Sequence, residues 1–189
     1  WILDEFEKIK LEHGEKDRRP RIEHSQHLSK SAVGRFGAEN IIPSMQPYHV
    51  YDDGSWAHKR IDPDRLSRTY IFKTLIESGA NLTFGSDWTV APLNPMTGVY
   101  AAMTRYTRDG QNPKGWYPNE KIAIDDILKC YTINNAYAAF WDNTTGSISV
   151  GKNADFVVFN INLLTAKPED ILKAKPLRTV VGGKDYIFN

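Results

Sequence analysis

The chain has 189 residues, of which 41% are hydrophobic and 25% charged. This is enough for a cored domain and argues against wholesale disorder. Formal net charge is +1 and the sequence pI is about 8.0, so electrostatics gives no reason to expect nucleic acid or an anionic membrane as partner. Cys130 is the only cysteine. It excludes an intrachain disulfide framework and a cysteine-built zinc site, and it fits a reducing compartment, the cytoplasm rather than the secretory route. No apolar run approaches the roughly 18–20 residues of a membrane-spanning helix.

The first residue, Trp1, is not an initiator methionine, and WILDEFEKIKLEHG reads as a helix already under way. Ile2, Leu3, Phe6 and Ile9 share one face at helical spacing. With no cap residue ahead of them, the expectation is a piece of a longer protein. A polar break follows, bracketed by Gly14 and Pro20. RIEHSQ at 21–26 reads as a strand, His27 to Phe36 as a helix closed by Gly37, and NIIPSMQP at 40–47 as the next buried strand. This α/β alternation favours parallel strands. Tyr48 to Asp64 shows no period and reads as a long loop. Asp64 to Ser78 reads as one helix, with Leu66, Tyr70, Leu75 and Ile76 as candidate core residues. NLTFGSDW at 81–88 is the third strand.

A short helix is expected around Thr97 to Arg108, then a turn-rich exposed segment, DGQNPKGWYPNE. IAIDDILKCYTINNAYAAF reads as one or two helices, with Asp125 and Asp126 at an N-terminus and Thr132 placed to cap the second. The pattern changes at Gly146. GSISVGKNADFVVFNIN alternates and reads as two strands joined by a glycine turn. KPEDILKA reads as a short helix and RTVVGGKDYIF as a hairpin around Gly182 and Gly183.

Two of the strands stop on residues able to do chemistry, His24 in the first and Asp87 in the third. Catalytic groups in parallel α/β folds gather at the carboxyl ends of strands. A His and an Asp delivered this way can share one metal-activated water, which points to a metal-dependent hydrolase.

RIEHSQ, then SMQP with His49 just beyond, then FGSDW followed by PLNP, and finally GSISVGKNADFVVF resemble, in that order, the amidohydrolase superfamily. The nearest branch is the metal-dependent hydrolases of amidohydrolase family 3. The resemblance implies a (β/α)8 TIM-type barrel with a small β-sandwich built from both ends of the chain. RIEHSQ, IIPSMQP and NLTFGSD would then be barrel strands six, seven and eight. Residues 1–145 would be the C-terminal portion of the barrel and 146–189 the C-terminal strands of the composite sandwich. The family's His-x-His pair, its bridging Lys or Glu and its strand-five His have no counterpart here, so they are expected upstream of Trp1. About three of eight strands cannot close a barrel. The fragment is therefore expected to associate with the missing N-terminal part or with a copy of itself, and to be inactive alone. A stable compact monomer of 21.5 kDa on gel filtration would contradict this expectation.

The resemblance also assigns roles. Asp87 would bind or closely approach the metal, take a proton from the attacking water and pass it to the leaving amine. His24 would be a metal ligand or site contact. Gln46, His49 and Trp88 would contact a small-molecule substrate or support the site. Zinc is the expected ion, with iron or manganese compatible with the same donors. The implied reaction is hydrolysis of a carbon–nitrogen bond other than an ordinary peptide bond. A barrel that has lost its metal and binds a ligand or partner is the alternative. His13 and His58 read as solvated surface, and His27 as separate from His24. The basic run KDRRPR at 16–21 is balanced by Glu12, Glu15 and Asp17 and reads as a solvated turn.

Overall fold

The structure, a computed structural model, describes residues 1–188. Helix α1 (Ile2–His13) forms as its pattern predicts, but only Leu3 is buried on it; Ile2 and Ile9 are 46% and 40% exposed. Strand β1 (Arg21–Glu23) is followed by short helix α2 (Arg35–Ala38) and strand β2 (Ile42–Met45). Then come α3 (Tyr48–Asp53), α4 (Pro63–Leu66), α5 (Phe72–Glu77) and strand β3 (Thr83–Phe84). The body ends with α6 (Met96–Thr104), α7 (Ile124–Tyr131) and α8 (Ile133–Ala138). The tail holds β4 (Phe156–Phe159), α9 (Pro168–Ile171), β5 (Pro176–Val181) and β6 (Lys184–Ile187).

Two sheets result. The first is parallel, in the order β1-β2-β3, with Glu23 opposite Ser44 and Met45 opposite Phe84. Its strands are joined by segments carrying helices, the connection that parallel pairing requires. The second is antiparallel, in the order β4-β5-β6. Its β5–β6 hairpin turns on Gly182 and Gly183, with φ of 55° and 75°. A two-residue loop with both φ values positive suits a right-twisted hairpin, and only glycine adopts it without strain.

The core lies between the parallel sheet and its helices. Ile42 and Met45 of β2, Phe84 of β3, Phe72 and Leu75 of α5 and Ile127 of α7 are all 0–2% exposed. Leu163, Ile171 and Ala174 of the tail join the same cluster. Gly37 lies inside α2 rather than closing a helix. A Cβ there would stand 1.9 Å from the Ser78 carbonyl oxygen, so glycine permits this approach of α2 to the end of α5. Among the described residues no helix is long and apolar enough to cross a membrane.

Several expectations are corrected. Residues 27–34 are turn rather than helix, because His27 is bridged to Thr69 and Leu28 N–H donates to the Arg68 carbonyl. The stretch from 48 to 64 is not a loop; it is largely helical turns, opened by Pro47 without any side-chain cap. The helix expected over 64–78 is broken at Tyr70, which has φ of 53°. Thr132 does not cap α8; its hydroxyl donates back to the Leu128 carbonyl. Only one strand, β4, forms within 146–162, and Ile148 of the alternating stretch is 86% exposed.

Arg105 is the largest fully buried side chain. It ends α6 in the left-handed conformation, at φ of 60°. Its Nε donates to the Trp116 carbonyl at 2.9 Å and its Nη1 to the Tyr70 carbonyl at 2.7 Å. The guanidinium carbon lies 5.2 Å from the Phe72 ring and 5.6 Å from the Trp116 ring. Burial lowers its pKa to about 10, so it stays charged at neutral pH. Arg19 makes a second long-range tie. It stacks 3.9 Å over Tyr137 and 4.4 Å over Phe140, and donates to Asp142 at 2.6 Å.

Candidate functional site

The sequence places three side chains just past the ends of adjacent parallel strands. His24 follows β1 directly, His49 lies in the first turn of α3 after β2, and Asp87 lies three residues beyond β3. Because the strands are parallel and neighbouring, all three arrive at one end of the sheet. Each offers one ligand atom, and these atoms lie within 4.8 Å of one another.

The backbone there is unusual. His24, Ser25 and Asp87 have φ of 66°, 44° and 58°. Non-glycine residues in this region cost on the order of 1–3 kcal/mol each and cluster at functional sites. The turn out of β1 is held by the Ser25 hydroxyl, which donates to the Ile22 carbonyl at 3.0 Å.

Hydrogen bonds orient the side chains. His24 Nδ1 lies 2.9 Å from Gln46 Oε1. An amide oxygen only accepts, so His24 donates from Nδ1 and its Nε2 lone pair is left for a ligand. His49 Nε2 lies 3.2 Å from Asp87 Oδ2, with the two side chains 13% and 30% exposed. The His24 and His49 rings are 6.2 Å apart between centroids. Two imidazoles and a carboxylate this close together are a donor set that could hold a divalent ion. The residues present thus fit a metal, of which zinc, iron and manganese share these donors.

Of the residues singled out in the sequence, His24, Gln46, His49 and Asp87 come together. Gln46 meets His24, and His49 meets Asp87. Glu23 is not the partner of His24; it pairs with Arg21. Trp88 stands beside the group and is 64% exposed. His27 bonds Thr69 Oγ1 instead, and His13 and His58 are exposed.

Sequence reasoning missed the supports. Asn134 and Asn135, neighbours on α8, donate from Nδ2 to the carbonyls of Leu82 and Phe84 at 2.8 and 2.9 Å. They pin β3, the strand that leads to Asp87. Asp53, at the end of the helix that carries His49, accepts from the Tyr70 hydroxyl at 2.5 Å and from Gln26 Nε2 at 3.3 Å. This ties the turn after β1 to α3, and burial beside that carboxylate pushes the Tyr70 phenol well above its usual range. An Asn-Asn pair after TI, and an Asp twenty-nine residues past His24, carry no spacing signal that would have flagged them.

The chain is thus α/β, with a His/His/Asp group that could hold a metal ion at the ends of its parallel strands. Comparison with known proteins makes this specific: residues 2–185 match the model of the amidohydrolase family, and the chain belongs to that family, in its family 3 branch. Protein LONG AFTER FAR-RED 3 of Arabidopsis thaliana is 40% identical over 184 residues, covering 97% of this chain and 31% of that protein. The N-substituted formamide deformylase of Arthrobacter pascens is 27% identical over 111 residues, 59% of this chain and 20% of that one. Among solved structures, an uncharacterized metal-dependent hydrolase from Pyrococcus horikoshii OT3 superposes with a TM-score of 0.74. It is 24% identical, and the match covers 89% of this chain and 32% of that one. An adenosine deaminase from Xanthomonas campestris with bound zinc gives a TM-score of 0.63 at 17% identity, covering 96% and 40%. The chain therefore matches part of amidohydrolase barrel structures, and it spans under a third of the Arabidopsis protein's length.

Proposed function

We propose that this chain supplies the His24, His49 and Asp87 side of a metal-dependent hydrolase that cleaves carbon–nitrogen bonds other than ordinary peptide bonds, such as an amide, cyclic amide or amidine. The observation that carries the reading is the meeting of these three side chains, within 4.8 Å, at the ends of three adjacent parallel strands. It supports reading β1, β2 and β3 as strands six, seven and eight of a (β/α)8 barrel, whose active sites lie at that face. The named activities of two similar proteins, on an N-substituted formamide and on adenosine, support the bond class.

A divalent ion at this site would polarise a carbonyl group and an attacking water. His24 and Asp87 are the ligands we assign, with His49 beside them. Gln46 fixes the tautomer of His24 and aims its Nε2. The Asp87 carboxylate takes a proton from water and returns it to the leaving amine, while His49 holds its Oδ2 in place. Trp88 would shield the substrate. Because, among the described residues, β1 and β3 each pair with β2 alone, we further propose that the sheet is completed by upstream barrel strands or by a second copy of the chain.

Gln46→Ala tests the reading. Zinc affinity of the protein carrying the complete barrel, measured by equilibrium dialysis, is expected to fall roughly 10–100-fold, the usual cost of losing an outer hydrogen-bond partner of a ligand. Equal affinity in the two proteins removes Gln46, and with it the assigned geometry of His24.

A further inference from the structure

A groove of about 680 Å³ that the mechanism above does not use is lined in part by Tyr48, the neighbour of His49. It is built from the segments that follow β2 and β3. Tyr48 and Tyr51 come from α3, Tyr100 from α6, and Tyr106, Arg108 and Asn112 from the loop after α6. Tyr48, which lines the groove, precedes His49, and their ring centroids are 6.3 Å apart.

Its chemistry is selective. Tyr48 and Tyr51 stand 6.0 Å apart between centroids, as do Tyr100 and Tyr106, so two aromatic pairs form its walls. Among the described residues no carboxylate lines it, and Arg108 is its sole charged lining residue. The Arg108 side chain is 68% exposed and its Nη1 meets Asp52 at 3.4 Å, which leaves its other donors open to a ligand. The wall is also fixed in advance. Arg108 N–H donates to the Tyr51 carbonyl at 2.7 Å, and Asn112 Nδ2 to Thr107 Oγ1 at 2.9 Å, so a ligand need not order this loop.

We infer that this groove is the substrate subsite, and that it takes an aromatic ring carrying an anionic group. The ring stacks among the tyrosines and the anion pairs with Arg108. Resting on the hydrolase reading, this names the substrate class as an amide bearing an aryl group and an acid, of which an N-acyl aromatic amino acid is the simplest example.

The test is direct binding without turnover, so that it stands apart from the hydrolase reading. N-acetyl-L-phenylalanine, N-acetyl-L-phenylalaninamide and N-acetyl-L-leucine are titrated against the metal-free full chain by ligand-observed NMR. N-acetyl-L-phenylalanine is expected to bind tightest. Arg108→Gln, a change at an exposed position, is expected to weaken it roughly threefold, the weight of an exposed ion pair, and to leave the neutral amide unchanged. Tyr51→Leu is expected to weaken both aromatic probes by about fivefold, the scale of one aromatic contact. Equal binding of the phenylalanine and leucine compounds, or no response to either substitution, overturns the subsite whether or not the enzyme proves to be a hydrolase.

Discussion

Asparagine at position 87 is expected to lower turnover of a carbon–nitrogen substrate by roughly 10²–10⁴-fold, the range that a positioned acid–base group contributes. The argument rests on what the amide lacks. Asn keeps the shape of Asp and one oxygen, so the neighbouring His49 ring, now 3.2 Å from Oδ2, keeps a partner. It cannot accept a proton from water or hand one to an amine. The measurement is kcat of the protein carrying the complete barrel, with circular dichroism to show that the Asp87→Asn chain still folds. A kcat equal to that of the unaltered protein takes Asp87 out of the mechanism.

The largest effect on stability is expected at Arg105. Arg105→Ala should destabilise the fold by on the order of 3 kcal/mol in urea unfolding. The substitution strands the Tyr70 and Trp116 carbonyls, each an acceptor whose loss of partner costs about 1–3 kcal/mol when buried. It also opens a void between Phe72 and Trp116, which are 0% and 8% exposed. Relief of the buried charge works in the other direction. Burial depresses the guanidinium pKa to about 10, below its unfolded value, so the charged form is held in the fold at a cost throughout the neutral range. That cost keeps the expected loss well under the sum of its parts. A change below about 1 kcal/mol would show that the two carbonyls find other partners.

The parts of this molecule that were legible in the sequence are those whose signal is local. β2 follows from its short apolar run, the β5–β6 hairpin from a Gly-Gly turn, and α7 from helical periodicity with Asp125 and Asp126 in its first turn. His24 and Asp87 were legible because each follows a strand, and strand ends in a parallel sheet share one side. The rest depends on contacts distant in sequence. The break at Tyr70 exists because its N–H donates to the Gln26 carbonyl while its own carbonyl accepts from Arg105. The pattern over 64–78 contains neither partner. The helical turns over 48–59 lack side-chain caps, so nothing in their own residues announced them. GSISV alternates as a strand should, yet no described strand pairs with it, and alternation alone does not supply a neighbour. Within the site, the pairing of Gln46 with His24 and of His49 with Asp87 depends on the register of β1, β2 and β3, which the sequence does not spell out.

Arg19 has a consequence for the order of events during synthesis. It sits two residues before β1, yet its partners Tyr137 and Asp142 are 118 and 123 positions away. Chains emerge from the ribosome from the N-terminus at about 5–20 residues per second. The segment that leads into His24 is therefore clasped only when the last helix of the body has been made, several seconds later at that rate. Until then the edge of the nascent chain that leads into His24 lacks this clasp, and it is in this interval that a chaperone or a complementary strand would find it open.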